Sequence, residues 1–232
     1  MNAIITAATK GIGKAITLAL AGAGYNVAIC SRSQSEIDSF CTELSSRFNI
    51  KAVGIETNVA DPAQLQRFAS FVQQHFATVD VLVNNAGTYI PAFILDEEDT
   101  VFQRQMEVNF YPAYYLCKFF GKKMRDFKSG NIFNICSIAS KNPVISAGSY
   151  SVTKAALLSL THVLREELMP HHVKVTAVLP GSTLTDSWKG TDIPSERFVS
   201  ADDVAKAVLS ILQMSVGANV DELIIIPLAG EI

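Results

Sequence analysis

A tyrosine and a lysine four residues apart, Tyr150 and Lys154, are the side chains whose spacing suits proton transfer. Residues with this separation lie on the same face of a helix. An ammonium group held there stabilises the phenolate, and an opposite charge at close range shifts a pKa by about one to three units. Tyrosine titrates near ~10 in water, so the pair predicts a phenol that exchanges protons near neutral pH. Packing is the alternative, because this spacing is common by chance.

A serine thirteen residues before the tyrosine, Ser137, can hold a substrate oxygen beside the phenol. It follows an apolar run at 131–136 that predicts a buried strand, and Tyr150 and Lys154 fall in the first turns of a helix predicted at 149–169. The sequence therefore places the three side chains where a strand ends and the next long helix begins.

Strands and helices alternate along the rest of the chain. This order predicts a parallel sheet with helices on both faces, that is, a Rossmann-like doubly wound α/β fold of about seven strands. We expect a single domain over residues 1–232. The predicted strands are 2–7, 25–30, 52–59, 79–83, 131–136, 173–179 and 222–226. The predicted helices are 14–21, 33–48, 61–76, 97–127, 149–169 and one that opens at 200–203.

Small and polar residues gather where the predicted strands end. The first strand runs into Gly11-Ile-Gly13 and a helix, the setting in which backbone amides hold a phosphate. In doubly wound sheets the ligand lies beyond the carboxyl ends of the strands. The other polar stretches at this edge are Ser31–Ser33, Asn58, Asn84–Gly87, Ser137 and Pro180–Thr185.

Composition excludes several classes of function. Of 232 residues 49% are apolar and 18% charged, and the net charge of −3 without a basic run argues against nucleic-acid binding. Four cysteines without paired spacing predict reduced thiols in a cytoplasmic protein, and they form no metal pattern with the histidines. The apolar stretch 12–31 is broken by Lys14, Gly22 and Gly24, so we expect neither an export signal nor a membrane span.

Five motifs in order identify the sequence as similar to the short-chain dehydrogenase/reductase family, over nearly the whole chain. Ser137, Tyr150 and Lys154 match its catalytic set. The other four are the cofactor loop Thr6-Ala-Ala-Thr-Lys-Gly11-Ile-Gly13, Asn84-Asn85-Ala86-Gly87, the helix asparagine Asn109, and Pro180-Gly-Ser-Thr-Leu-Thr185. The resemblance implies that Tyr150 is the general acid or base and that Ser137 polarises the substrate oxygen. Lys154 lowers the pKa of the tyrosine and binds the nicotinamide ribose, and Asn109 holds a water that links Lys154 to solvent.

The resemblance also implies a set of cofactor-binding residues, in which Asn58 faces the adenine ring. The set is Thr6, Thr9, Lys10, Gly11, Ile12, Gly13, Ser31, Arg32, Ser33, Asn58, Val59, Asn85, Ala86, Gly87, Tyr150, Lys154, Pro180, Gly181, Thr183 and Thr185. One residue departs from the pattern, since Ala7 stands where the family has its first loop glycine. A methyl group fits there if the local φ is negative, so we expect altered cofactor affinity and not its loss.

The end of the second predicted strand favours NADP(H) over NAD(H). A site for NAD usually has an acid there, whereas this chain has Ser31, Arg32 and Ser33. Arg32 can bind a 2′-phosphate, with Lys10 as a second cation. The alternative is that Arg32 only begins a solvated helix.

The substrate is expected to be a small-molecule carbonyl or alcohol in a largely apolar pocket that suits an acyl chain, a steroid-like ring or an aromatic ketone. Its predicted walls are 89–91, 138–145 and 182–198 with Trp188, and Lys141 is a candidate partner for a carboxylate. A carbonyl reductase or alcohol dehydrogenase is one hypothesis and a 3-oxoacyl carrier-protein reductase is another. A non-catalytic NADP(H)-binding sensor or scaffold is the third. The resemblance further implies a homo-oligomer, a dimer or tetramer, formed through the helices near 97–127 and 149–169.

Overall fold

The computed structural model describes residues 1–232 and contains one seven-stranded parallel sheet. The strand order is β3-β2-β1-β4-β5-β6-β9, which confirms the predicted doubly wound fold. A separate two-stranded sheet pairs β7 with β8. The strands are β1 (Asn2–Thr6), β2 (Asn26–Ser31), β3 (Ala52–Glu56), β4 (Val81–Asn84), β5 (Gly130–Ile135), β6 (Val173–Pro180), β7 (Thr183–Leu184), β8 (Val199–Ser200) and β9 (Glu222–Ile225).

Seven helices cover the two faces of this sheet, and each face has its own apolar core. One core packs α1, α2 and α7 against the sheet, and the other packs α3 and α5. The central strands are buried on both faces, because consecutive residues such as Ile4 and Ile5 are both fully buried. The helices are α1 (Gly11–Gly22), α2 (Gln34–Phe48), α3 (Pro62–His75), α4 (Thr100–Asn109), α5 (Tyr111–Phe127), α6 (Gly148–Leu168) and α7 (Ala201–Leu212).

The single helix predicted at 97–127 is wrong, because the chain forms two helices there. α4 ends at Asn109, and Phe110 leaves helical geometry with φ −122° and ψ −58°. Pro112, in the first turn of α5, has no N–H to donate to the carbonyl four residues before it. The break fixes the position of Asn109 at the end of α4.

The strand order reverses between β1 and β4, which are neighbours in the sheet. The loops that follow these two strands leave in opposite directions, so a crevice opens at their carboxyl ends. The glycine loop follows β1, and Asn85-Ala86-Gly87 follows β4.

No helix is both long and apolar enough to cross a membrane.

Candidate active site

The two loops of the crevice are joined by hydrogen bonds from residues that the sequence predicted. The hydroxyl of Thr6 accepts from the backbone N–H groups of Asn85, at 2.9 Å, and Ala86, at 3.0 Å. The amide of Asn85 donates to the carbonyl oxygens of Thr6 and Ala7, at 3.0 and 3.1 Å. These bonds hold the glycine loop against the end of β4.

Ala7 has a φ of +52°. The condition under which its methyl group was expected to fit, a negative φ, is therefore not met. This is left-handed geometry, in which Cβ crowds the backbone of an L-residue. The turn after β1 therefore requires at residue 7 a conformation that glycine adopts without strain.

Gly13 is fixed by close packing within the same turn. A Cβ on Gly13 would lie 2.4 Å from the carbonyl oxygen of Ala7 and 2.4 Å from the amide nitrogen of Asn85. The close contact of Gly13 with the Ala7 carbonyl and the Asn85 amide thus depends on the absence of a side chain, as expected for the glycine loop of a dinucleotide site.

A cleft of about 350 Å³ opens beside these loops, at the ends of β1, β2, β3 and β4. It brings together nine of the predicted cofactor-binding residues: Thr9, Lys10, Ser31, Arg32, Ser33, Asn58, Val59, Ala86 and Gly87. Thr57, Thr88, Val108 and Glu36, which sequence reasoning did not assign, also line it. The remaining predicted residues lie outside its lining. Among them, Thr185 is next to the glycine loop, since its Cγ2 would be 3.2 Å from a Cβ on Gly11.

Glu36 is the unexpected charge in this cleft. Its carboxylate lies 2.9 Å from the ammonium of Lys10 and accepts from the Thr9 hydroxyl at 3.2 Å. The hydrogen bond to Lys10 lowers the pKa of Glu36 and raises the pKa of Lys10. The pattern Ser33-Gln-Ser-Glu36 is typical of a capping box, and the structure forms half of it. Ser33 accepts from the Glu36 N–H at 3.4 Å, but the carboxylate turns away from the helix end.

Tyr150 and Lys154 lie on the first turns of α6, as predicted, but their electrostatics differ from the expectation. Lys154 is 3% exposed, and its Nζ donates to the carbonyl oxygen of Ile135 at 2.8 Å. That nitrogen lies 5.9 Å from the centre of the Tyr150 ring. Burial raises the pKa of Tyr150, while the Ser137 hydroxyl acts in the opposite direction. The expected net lowering of the Tyr150 pKa is therefore not found, and burial also lowers the pKa of Lys154, to about 8.

Ser137 follows β5 by two residues and caps a short helical turn. Its hydroxyl accepts from the Ala139 N–H at 3.1 Å, and its own N–H donates to the Ser140 hydroxyl at 3.3 Å. The turn holds the serine hydroxyl beside Tyr150, where it opposes the larger effect of burial on the pKa of the phenol. The structure therefore brings together the serine, tyrosine and lysine that the sequence grouped by spacing.

Asn109 is buried and makes three side-chain hydrogen bonds to the protein. Its amide donates to the Thr88 carbonyl at 3.0 Å and the Thr153 hydroxyl at 2.9 Å, and its oxygen accepts from the Thr88 N–H at 2.7 Å. Both side-chain N–H groups are thus in use, so the side chain joins the loop after β4 to α6. A Cβ on Gly87 would lie 3.3 Å from the Lys154 Nζ and 3.6 Å from the Asn109 oxygen, so these three residues meet.

The predicted substrate walls are partly assembled. The Tyr89 ring packs edge-on to Tyr150, with centroids 5.0 Å apart, and Trp188 packs on Phe198 at 4.9 Å. Lys141 is not available for a substrate carboxylate, because it is ion-paired with Glu222. An apolar groove of about 500 Å³ lies beside α6 and is lined mainly by residues 93–96 and 143–145.

The segment after β6 has a partner that sequence reasoning missed. Glu231 accepts from the N–H of Ser182 at 2.8 Å and from its hydroxyl at 2.9 Å. A Cβ on Gly181 would lie 2.0 Å from the Glu231 carboxylate, so the glycine permits this contact. The hydroxyl of Thr183 donates to the Gly181 carbonyl at 2.9 Å. No local pattern in the sequence indicates this contact, since the partners are far apart along the chain.

Comparison with known proteins gives consistent matches. The short chain dehydrogenase family profile matches residues 1–194. An uncharacterized oxidoreductase of Staphylococcus epidermidis is 28% identical over 225 residues, which cover 97% of this chain and 96% of that protein. An alcohol dehydrogenase from the archaeon Thermococcus sibiricus, complexed with 5-hydroxy-NADP, has a TM-score of 0.90 at 27% identity and covers 98% of this chain and 96% of its own. An acetoin dehydrogenase from Salmonella typhimurium has a TM-score of 0.87 at 28% identity, with coverage of 97% and 94%.

Proposed function

This chain belongs to the short-chain dehydrogenase family, and we propose that it is an NADP(H)-dependent oxidoreductase acting on a carbonyl or alcohol. It reduces a ketone or aldehyde, or runs the reverse reaction. The observation that carries the proposal is the meeting of Ser137, Tyr150 and buried Lys154 at the end of β5, beside a cleft at the β1–β4 crevice. A structural relative that is named as an alcohol dehydrogenase and was solved with an NADP derivative supports it.

The residues of the cleft fit a phosphorylated dinucleotide. Gly13 lets the turn after β1 close tightly against Asn85, and Lys10 and Arg32 supply positive charge for a 2′-phosphate. Bound NADP(H) supplies the hydride, and the protein supplies orientation and the proton. Asn58 and Val59 line the adenosine end. Lys154 and the segment with Pro180, Gly181, Thr183 and Thr185 serve the nicotinamide end. We prefer NADP(H) to NAD(H) because Arg32 is exposed and forms no ion pair.

Tyr150 is the general acid in reduction and the base in oxidation. Its raised pKa keeps the phenol protonated at neutral pH, so it has a proton to give to the substrate oxygen. Ser137 places that oxygen beside the phenol. Lys154, whose pKa is about 8, is cationic at neutral pH and stabilises the phenolate that remains. Asn109 is a positioning residue that holds the loop after β4 against α6.

Three further features belong to this proposal. We place the catalytic site in a single domain that spans 1–232. Four free cysteines, three of them buried, suit a reducing compartment, so we assign the protein to the cytoplasm. Exposed apolar side chains on α4, α5 and α6 suit self-association into a homo-oligomer.

The test is NADPH oxidation across a panel of 3-ketoesters, diketones, aldehydes and a 3-oxoacyl thioester. We expect turnover that falls by roughly 10²–10⁴-fold in Tyr150→Phe. The matched control is Tyr25→Phe, far from the site in the fold. A preference for the thioester would favour the 3-oxoacyl carrier-protein reductase. Binding of NADPH without turnover of any panel member would favour the sensor, and equal activity of Tyr150→Phe and wild type would contradict the mechanism.

A further inference from the structure

Glu36 occupies a position in the cleft that the proposed chemistry does not use. Its carboxylate reaches from the first turn of α2 to the glycine loop, where it contacts the ammonium of Lys10 and the hydroxyl of Thr9. The side chain is 41% exposed, so it faces the cleft and is not part of the core.

Helix capping does not account for this position. In a capping box the third residue of the helix reaches back to the N–H of the cap residue. Here Ser33 accepts from the Glu36 N–H, but the Ser33 N–H donates to the Ser31 hydroxyl at 3.4 Å. The carboxylate therefore makes no capping bond to α2, and it contacts the glycine loop instead.

The charges that line the cleft are two cations and one carboxylate, namely Lys10, Arg32 and Glu36. Arg32 forms no ion pair, whereas Lys10 is held by Glu36 at 2.9 Å. A phosphate that enters between the cations must draw Lys10 away from Glu36, or remain close to a second negative charge. A dinucleotide without the 2′-phosphate leaves the Lys10–Glu36 pair intact.

We propose that Glu36 is a specificity-determining residue that competes with the 2′-phosphate of NADP(H) for Lys10. It thereby reduces the preference of the protein for NADP(H) over NAD(H). The inference rests on the proposed function, because it takes the cleft to be a dinucleotide site. It predicts that the wild-type protein discriminates between the two cofactors less than its two cations would otherwise allow.

Calorimetric titration tests this without any turnover. The ligands are NADP⁺, NAD⁺, adenosine 2′,5′-bisphosphate and 5′-AMP, titrated into wild type, Glu36→Gln and Glu43→Gln. Glu43 is the matched control, since it lies on the same helix and pairs with Arg47 at 3.8 Å, outside this cleft. We expect Glu36→Gln to lower the Kd of NADP⁺ and of the bisphosphate by roughly three- to fivefold. The Kd of NAD⁺ and of 5′-AMP does not fall, and Glu43→Gln binds all four ligands as wild type does.

A double-mutant cycle with Lys10→Gln tests the competition itself. If Glu36 acts through Lys10, the gain from Glu36→Gln disappears when Lys10 is already replaced. Thermal unfolding of each variant confirms that the variants are folded. If wild type binds NADP⁺ while Glu36→Gln has an unchanged Kd, or gains equally for NAD⁺, the role of Glu36 is overturned and the proposed function stands. If wild type binds none of the four ligands, both are overturned.

Discussion

At the scale of single residues, burial determines the proton affinity of the catalytic pair. Lys154 is enclosed by the protein and has one hydrogen bond, to the Ile135 carbonyl, and no carboxylate partner. Desolvation disfavours its charged form and lowers its pKa from 10.5 to about 8. The unfolded chain therefore holds one more proton than the folded chain between these two pH values. By linkage, the contribution of Lys154 to stability rises with pH across this window.

The pH dependence of unfolding tests this assignment. Lys154→Met removes the ionisable group, so the unfolding free energy of wild type relative to the variant should rise between about pH 8 and 10.5. The rise should be on the order of 3 kcal/mol, and below pH 8 the difference should be constant. Urea unfolding at a series of pH values measures it. Lys206→Met, at an exposed site on α7, should show no such slope. An equally flat difference for Lys154→Met would mean that the lysine is not desolvated.

The role of Asn109 also becomes visible only at this scale. The family resemblance implies a place for it in the site, whereas its partners Thr88 and Thr153 come from a loop and a helix that are distant along the chain. Spacing rules describe neighbours on one helix. They carry no information about which hydrogen bonds a side chain makes between elements, and for the same reason they missed Glu36 and Glu231.

At the scale of elements, the turn from β1 to α1 combines a close backbone contact at Gly13 with a strained backbone at Ala7. The sequence predicted the turn itself from a strand, two glycines and a helix. It did not predict the backbone conformation at Ala7, because φ at one residue depends on how the turn is closed by Asn85 and by the packing of Gly13. The prediction of one helix at 97–127 failed at Phe110, where the backbone leaves helical geometry just before Pro112.

Replacing Ala7 by glycine should relax this turn. The φ of +52° costs an L-residue about 1–2 kcal/mol, and the greater freedom of unfolded glycine offsets about 0.5–1 kcal/mol of the relief. We expect Ala7→Gly to raise the free energy of unfolding by about 0.5–1 kcal/mol and to lower the Kd of NADP⁺. Chemical denaturation and calorimetry measure the two effects.

Ala8→Gly is the matched control for this prediction. Ala8 is fully buried next to Ala7 but does not have a positive φ. Its replacement should lower the free energy of unfolding by about 0.5–1 kcal/mol. If both variants lose stability to the same extent, the positive φ at Ala7 carries no strain.

At the scale of the whole molecule, the fold was the most predictable feature. Seven strands, their parallel alignment and helices on both faces follow from the alternation of elements, which survives errors of a few residues at each boundary. The gathering of the candidate site residues at one edge follows almost as well, because loops at the carboxyl ends of parallel strands meet there. The sequence does not predict which apolar side chains lie on the outer surface of the helices, since an exposed apolar residue on a helix cannot be distinguished in sequence from a core residue.

Exposed apolar side chains on α4, α5 and α6 predict self-association of the 25.1 kDa chain. They include Phe102, Tyr111, Tyr114, Val152 and Val163, which are between 41% and 53% exposed. A stable interface buries about 1,200–2,000 Å² in total, so we expect a dimer or tetramer in light scattering at micromolar concentration.

A charge introduced into the expected interface tests whether this surface, and not another, mediates the association. Val163→Glu places a carboxylate in the expected interface without a partner, which is strongly unfavourable for association, so the measured mass should fall. Val216→Glu changes a side chain that is 85% exposed and lies beyond α7, and it should leave the mass as in wild type. A residual dimer of Val163→Glu would indicate a second interface, for which the exposed Ile224, Ile226 and Leu228 at edge strand β9 are the candidate residues. A wild-type mass of 25.1 kDa at the same concentration would contradict self-association altogether.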